Sequence, residues 1–263
     1  MVTITLQYKL GKRNFVKANL RGADLKGVDL STADLSRADL SNSNLSGATL
    51  RHTKLCEANL SSAILQGINR DSGYMKRSRG NAYQSLADVG ADLADVSRSD
   101  DSETDLSKAN LAEADLTDAY LRGANLSAAN LSKARLTKAN LKGANLAGAN
   151  LIEANLTGAV LDGANLCGAN LSRATARCSL KGANLSGADL DEANLSAISL
   201  SQVNLVGARL TKANLAWSEL IHADLSDADL SYADLSNAKL YGVKYNVATI
   251  WPRGYTPPSP SQR

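Results

Sequence analysis

The sequence predicts an all-β solenoid, in which very short strands and turns coil around a narrow apolar core. One observation is a repeat of five residues, as in ANLKGANLAGANLIEANL from Ala139, a period that fits neither a helix nor a strand. The other is the kind of apolar residue. Leu and Ala dominate, aromatic residues make up 4% of the chain, and there is a single Phe. A core without large, mixed side chains has to be narrow and repetitive.

Each five-residue unit is predicted to form one short strand and one corner. We call its Leu the centre; a small residue, usually Ala, lies two positions earlier. In an extended chain these two side chains point to the same side, so both face inward and the Asp or Asn between them faces outward. The next inward residue comes three positions later, so the chain must turn at the intervening pair, which is rich in Ser, Gly, Lys and Asp. Repeated turning in one direction winds the chain into stacked coils.

The A(D/N)LXX pattern closely resembles that of the pentapeptide repeat family. This resemblance implies a right-handed quadrilateral β-helix with four units per coil, and about ten coils for a chain of this length. The YKLGKRNF opening and the YNVATIWPRGYTPP ending are similar to the ends of cyanobacterial members, among them a regulator of heterocyst differentiation.

The repeat divides the chain into five segments. They are an N-terminal cap (1–14), a first block of coils (15–65), an insertion without the repeat (66–105), a second block of coils (106–245), and a C-terminal cap and tail (246–263). Caps are needed because an open solenoid exposes its core and its strand edges, and Trp251 is expected to cover the last coil. Between Leu171 and Leu180 the spacing falls one residue short, which predicts a tightened corner with Cys178 as a buried filler.

With four units per coil, residues twenty positions apart should stack. One such column reads Glu113, Lys133, Glu153, Arg173, and another reads Asn110, Asn130, Asn150, Asn170. Opposite charges on neighbouring strands stabilise a sheet, and stacked Asn side chains can hydrogen-bond along the axis. A column of glycines at Gly123, Gly143 and Gly163 predicts a flat wall, which suits close docking of a partner or simply the geometry of the corner.

The insertion is basic in its first half and acidic from Asp88 to Asp105. Apolar spacing allows a short amphipathic helix from Ala82 to Ser97. Two interpretations stay open: a filler helix or loop on the solenoid wall, or a recognition element that projects from a rigid scaffold. On the second interpretation, the candidate partner-binding residues are Tyr74, Met75, Lys76, Arg77 and Arg79.

Large side chains replace small polar ones at outward positions of the last coils. They are Trp217, Ile221, His222, Tyr232 and Tyr241. Either the returning tail covers them, or they form a surface for a partner or for a second copy of the chain. The second interpretation predicts a homodimer through the C-terminal coils.

The sequence offers no arrangement for catalysis or metal binding, so we expect no enzyme activity, no cofactor and no metal. His52 and His222 are the two histidines, and they lie far apart along the rod. Three cysteines at unrelated spacings form neither a disulfide framework nor a metal pair, which predicts a reducing compartment and a cytoplasmic protein. We expect no membrane span and no signal peptide. A net charge of +3 without a basic run predicts no direct nucleic-acid binding.

Two functions from different classes are compatible with this fold. The first is a non-catalytic scaffold or regulatory adaptor that presents its walls and insertion to a protein partner, in cyanobacterial cell differentiation, as the resemblance implies. The alternative, implied by other family members, is a DNA mimic that binds a type II topoisomerase and protects or inhibits gyrase. A mimic needs columns of acid, yet Asp34 is predicted to stack on Lys54 and Glu219 on Lys239. The sequence therefore favours the adaptor.

Overall fold

The computed structural model describes residues 11–69 and 104–258. In these two ranges the chain forms no helix, and its strands are as short as a strand can be, each a single residue in an isolated parallel β-bridge. In the regular coils the bridges join residues twenty positions apart, such as Asn130 to Asn150 and Arg135 to Asn155. Four units therefore complete one coil of a β-helix. The helix predicted for Ala82 to Ser97 lies outside the described residues.

The coil has four sides, which we number as walls 1 to 4. They are the stacks of outward residues that begin with Asn14, Asn19, Asp24 and Asp29, respectively. The two residues after each centre form a corner, and corner 1 follows wall 1, corner 2 follows wall 2, and so on around the coil.

One apolar core runs from Phe15 to Val243 and consists of the centres and the small inward residues. Leu146 and Ala144 are both fully buried, as the repeat predicts. Burial of each Leu contributes about 1.5–3 kcal/mol, so stability accumulates coil by coil. Where the small position is polar, its hydroxyl donates to a backbone carbonyl, as from Ser43 to Leu40 at 2.6 Å.

Backbone hydrogen bonds hold each coil to the next and close each corner. The N–H of centre Leu146 donates to the carbonyl of Asn165 in the following coil at 2.7 Å. At the corner, the N–H of Ala149 donates to the carbonyl of Leu146 at 3.0 Å. The second corner residue has a positive φ, 58° at Glu153 for example, and this left-handed backbone conformation turns the chain from one side of the coil to the next.

The outward Asp or Asn of each unit caps the corner that follows it. Oδ1 of Asn130 accepts the N–H of Ser132 at 3.2 Å, and Oδ1 of Asp229 accepts that of Ser231 at 2.8 Å. This Asx-type turn is the physical reason for the D/N position of the repeat, because Asp and Asn place an oxygen close to their own backbone and cap the turn more strongly than Ser or Thr does.

The predicted stacks are present. On wall 2, Nδ2 of Asn150 donates to Asn130, Asn130 to Asn110, Asn110 to Asn59, and Asn59 to the carboxylate of Asp39, at 3.0–3.3 Å. A second ladder on wall 1 runs from Asn204 to Asp105. At corner 2, Arg173 lies between Glu153 at 3.5 Å and Glu192 at 3.4 Å. These ion pairs are exposed, so each contributes about 1 kcal/mol or less.

The shortened corner is as predicted. Val160 pairs with Ser179, nineteen positions away, and the N–H of Cys178 donates to the carbonyl of Ala176 at 2.9 Å. Ala176 and Cys178 are both buried, so the core continues through the deletion. Burial raises the pKa of the Cys178 thiol to about 12, which suits an apolar filler and not a nucleophile.

The C-terminal end of the core is covered by aromatic residues. Tyr245, Trp251 and Tyr255 pack against it, with ring centroids 5.3 Å apart for the first pair and 5.5 Å for the second. The hydroxyl of Tyr245 donates to the carbonyl of Pro258 at 2.6 Å and fixes the tail. Trp251 thus covers the last coil as expected. Residues 1–10 of the predicted N-terminal cap lie outside the described residues.

Candidate interaction surfaces

The insertion leaves the solenoid at corner 4. The coil hydrogen bonds extend past Leu65 as far as Asn69, whose N–H donates to the carbonyl of Ala48 at 2.9 Å. They begin again at Thr104, whose carbonyl accepts the N–H of Asn125 at 3.0 Å. The chain therefore departs after the outward position of wall 4 and returns at the first inward position of wall 1.

The side-chain amide of Asn69 takes the place of the peptide group that the departing chain removes from the coil. In the preceding coil, the N–H of Leu30 donates to the carbonyl of Thr49 at 2.8 Å. At the exit, the N–H of Leu50 donates to Oδ1 of Asn69 at 2.6 Å instead. Nδ2 of Asn69 donates to the carbonyl of Tyr120 at 3.2 Å, on the opposite side. The amide thus presents one acceptor and one donor along the axis, as a peptide group does.

Thr104 completes this exit clamp. Its Oγ1 donates to the carbonyl of Leu50 at 2.8 Å and receives a hydrogen bond from Nδ2 of Asn69 at 3.4 Å. Both side chains are buried, and Asn69 has a φ of 59°. Sequence reasoning missed this clamp. The available signal was the pair Ile68–Asn69. It lies five residues after Ala63–Ile64 and so continues the repeat, although position 70 is Arg and not the Leu of a regular unit.

The candidate residues of the insertion lie outside the described residues. Tyr74, Met75, Lys76, Arg77 and Arg79 therefore stay predictions.

Three aromatic side chains of the last coils are exposed to solvent. Trp217 is 65% exposed, Tyr232 79% and Tyr241 76%. The tail, described as far as Pro258, covers the end of the core and leaves these three uncovered. Of the other two candidates, His222 is exposed and Ile221 is half-buried.

The structure distributes these five residues over three successive corners. Ile221, His222 and Tyr241 lie at corner 4, where the His222 and Tyr241 rings meet edge to face at 5.7 Å. A Cβ at Gly242 would lie 2.4 Å from Nδ1 of His222, so the ring rests directly on this glycine. Trp217 lies at corner 3 and Tyr232 at corner 2. The result is an aromatic belt around the final coils.

Nothing in the described ranges resembles a catalytic or metal centre. No group of three or more His, Cys, Asp or Glu side chains there could hold a metal ion. Hydrogen bonds from Ser36 and Ser236 lower the pKa values of Asp34 and Asp234, the opposite of what a general acid requires. The described residues also contain no helix long and apolar enough to cross a membrane.

Comparison with protein-family models finds matches to one family across more than half of the chain. The matching model is that of pentapeptide repeats, over residues 14–51, 33–69, 102–137, 134–173, 178–215 and 208–244. No curated protein sequence matches the chain significantly.

Several solved structures are similar. HetL, a pentapeptide repeat protein involved in heterocyst differentiation regulation from the cyanobacterium Nostoc sp. strain PCC 7120, is 35% identical over 90% of this chain and 91% of its own, with a TM-score of 0.39. Rfr23 from the cyanobacterium Cyanothece 51142 is 31% identical over 43% of this chain and 63% of its own, with a TM-score of 0.25. QnrB1, a plasmid-mediated fluoroquinolone resistance protein, is 18% identical over 76% of this chain and 90% of its own, with a TM-score of 0.35.

Proposed function

The chain belongs to the pentapeptide repeat family, and on that premise we propose that it is a non-catalytic interaction scaffold, a regulatory adaptor for a protein partner. The observation that carries this proposal is the exit clamp of Asn69 and Thr104. Buried side-chain hydrogen bonds close the coil where the chain leaves it, so a rigid rod holds a long non-repeat segment at a fixed corner. Loops held on rigid scaffolds often contain the residues that bind a partner.

The partner contacts are proposed to come from Tyr74, Met75, Lys76, Arg77 and Arg79 of the insertion. HetL, 35% identical over 90% of this chain, is involved in regulating heterocyst differentiation, which supports a regulatory role in cyanobacterial cell differentiation. A cytoplasmic location is part of the same proposal, supported by the three free thiols.

Capture of a partner from the native host tests the proposal. The wild-type chain is compared with a variant in which residues 70–103 are replaced by Leu-Ser-Gly, and with a variant carrying Lys76→Glu, Arg77→Glu and Arg79→Glu. We expect both to lose a partner that the wild type retains. Retention of the same partner with unchanged affinity by the shortened chain would contradict the role of the insertion.

We also propose that the chain forms a homodimer through the aromatic belt. Trp217 and Tyr232 together expose large apolar surface, of a kind that is enriched in interfaces. Trp217→Ala combined with Tyr232→Ala should convert a dimer into a folded monomer in sedimentation experiments. A wild-type chain that is monomeric at every concentration removes this part of the proposal.

The charge arrangement disfavours the alternative function, a DNA mimic that binds gyrase. Asp34 stacks on Lys54, Glu219 on Lys239 and Asp224 on Lys244 in neighbouring coils, with Glu219 and Lys239 in an ion pair of 2.7 Å, so these columns do not repeat one sign. A mimic needs a row of negative charge to replace the phosphates of duplex DNA. Gyrase supercoiling assays provide the check, and we expect neither protection nor inhibition.

A further inference from the structure

Wall 4 carries a group of cations that the solenoid does not neutralise. Lys138 at corner 3 and Lys142 at corner 4 flank the wall in one coil. Arg177 and Lys181 flank it in the same way two coils further along, about 10 Å away at the strand spacing of a sheet. All four side chains are exposed, and none forms an ion pair in the described part of the chain.

The coil between these two cation pairs does not project far from the surface. It has glycine at both corners, Gly158 and Gly163, and the side chain of Lys138 extends over the first of these, since a Cβ at Gly158 would lie 3.4 Å from Cγ of Lys138. The floor consists of the half-buried side chains of Asn140, Val160 and Ser179. The surface is therefore shallow, uncharged along its centre and cationic along both edges.

One acidic residue, Asp162, lies between Lys142 and Lys181 at corner 4. Its Oδ1 accepts hydrogen bonds from Oγ of Ser179 and from the backbone N–H of Lys181, the latter at 3.1 Å. This carboxylate thus holds the corner in shape and forms no ion pair with either lysine within the described residues. Asp118 stacks beside Lys138 at corner 3, where its N–H donates to the carbonyl of Thr137 at 2.9 Å, and among the described residues it forms no ion pair with Lys138. Even with the charges of Asp118 and Asp162 counted, the four cations leave the surface positive.

Corner 2 of the same coils shows the arrangement that a purely structural role would produce. There the signs alternate, with Lys133 at 4.0 Å from Glu153 and Lys212 at 3.1 Å from Glu192. Alternation stabilises stacked strands, whereas stacked like charges weaken them. The cations of wall 4 therefore have no visible function inside the rod, which points to a function outside it.

We propose that the cationic surface of wall 4, with Lys138, Lys142, Arg177 and Lys181 at its edges, binds an acidic segment of the protein partner. This rests on the proposed adaptor function and names a binding surface on the solenoid itself. Carboxylates of the segment pair with the four cations, while its backbone lies along Asn140 and Ser179, whose polar side chains can hydrogen-bond to it. Charge complementarity identifies the occupant.

The dimensions favour a protein segment over a nucleic acid. Duplex DNA carries one charge per about 1.7 Å of axis, so binding to it draws on long basic tracks. The two cation pairs of wall 4 span about 10 Å, which matches a few carboxylates on a peptide. The net charge of +3 for the whole chain agrees with a partner segment that brings only a few negative charges.

A defined probe tests the proposal with the full-length chain. The probe is a fluorescent decapeptide of alternating Glu and Ala, and its matched control has Gln in place of Glu. We expect the Glu peptide to bind at low salt, to dissociate as salt is raised, and the Gln peptide not to bind. Lys142→Gln with Lys181→Gln should weaken binding about fivefold or more. The control pair Lys133→Gln and Lys212→Gln removes the same net charge at corner 2 and should change affinity less than twofold.

Carbodiimide cross-linking locates the site, because it joins a probe carboxylate to a lysine amine as an amide with net loss of water to the reagent. We expect adducts at Lys138, Lys142 and Lys181 in excess over Lys133 and Lys212. An even distribution overturns the proposal. Cross-links from Lys142 to the chain's own carboxylates between Asp88 and Glu103 also overturn it, because the wall would then cover itself. Tighter binding of a 20-base-pair DNA duplex than of the peptide, with the same dependence on Lys142 and Lys181, would also overturn the proposal.

The native partner separates failure of this surface from failure of the adaptor function. If the captured partner cross-links to the chain elsewhere and tolerates Lys142→Gln with Lys181→Gln, the wall 4 site is wrong and the adaptor stands. If no partner is captured by the wild-type chain, the adaptor function itself fails.

Discussion

At the scale of the residue, the outward Asp or Asn of each five-residue unit explains much of this fold. Its oxygen caps the following corner, as Asn130 does for Ser132, and in the Asn ladders of walls 1 and 2 the amide nitrogen also donates to the preceding coil, as from Asn130 to Asn110. Asn69 uses the same two groups differently, because the chain leaves the coil after it. Its amide then hydrogen-bonds to Leu50 and Tyr120, where a peptide group would otherwise lie.

Asn69→Ala should therefore destabilise the rod. The N–H of Leu50 and the carbonyl of Tyr120 would lose their partners in a buried environment, at a cost of about 1–3 kcal/mol for each group left unsatisfied. We expect a clear fall in the melting temperature measured by far-UV circular dichroism. Asn140→Ala is the matched control on the same wall, because Oδ1 of Asn140 accepts the exposed N–H of Lys142 and water can replace it. Equal melting temperatures for the two variants would show that the exit clamp is unimportant.

At the scale of the element, the coil is more predictable from the sequence than its interruption. The period alone predicts that Leu146 points inward and that Glu153 points outward in a charged column. Inward and outward positions and the twenty-residue columns repeat without exception around these two residues. The contacts of Asn69 and Thr104 do not follow from the period, because their partners are backbone groups of Leu50 and Tyr120, which only the closed coil brings together. The exposure of Trp217 and Tyr232 was equally undecided in the sequence, since it depends on the path of the tail.

The exit geometry predicts how the insertion can be removed. In a regular coil three residues, a centre and two corner residues, connect an outward position to the next inward one. Replacing residues 70–103 by Leu-Ser-Gly should therefore restore a complete coil, with the new Leu in the core column between Leu50 and Leu121. We expect a melting temperature equal to or above that of the wild type. A linker of five residues, Leu-Ser-Gly-Ser-Gly, is the control and should be less stable, because it shifts Thr104 out of register. Collapse of both variants would show that the removed segment belongs to the core wall.

At the scale of the whole molecule, corner capping by carboxylates makes the rod sensitive to acid. Hydrogen bonds from Ser36, Ser41 and Ser236 lower the pKa values of Asp34, Asp39 and Asp234 below the ordinary value of 3.8. A carboxylate whose pKa is lowered by folding stabilises the fold above its unfolded pKa, and this contribution is lost as the pH falls through the folded pKa.

We therefore expect the melting temperature to fall as the pH drops below about 4. The triple variant Asp34→Asn, Asp39→Asn, Asp234→Asn keeps the capping oxygens and removes these three titrating groups. Its melting temperature should depend less on pH between about 4 and 2 than that of the wild type. Parallel pH profiles for the two proteins would show that these three caps do not contribute to acid sensitivity.

Every wall, corner and proposed surface depends on the register of the coil. Cys167 offers a direct measurement, because its Sγ lies 3.3 Å from Oγ of Ser186 in the next coil. In a Cys56→Ser background, Ser186→Cys should form an intramolecular disulfide with Cys167 on mild oxidation, detected by mass spectrometry of peptides. Ser172→Cys is much nearer to Cys167 in sequence but lies at the next corner, and it should remain reduced. A disulfide in the Ser172→Cys variant and none in the Ser186→Cys variant would contradict the four-sided coil.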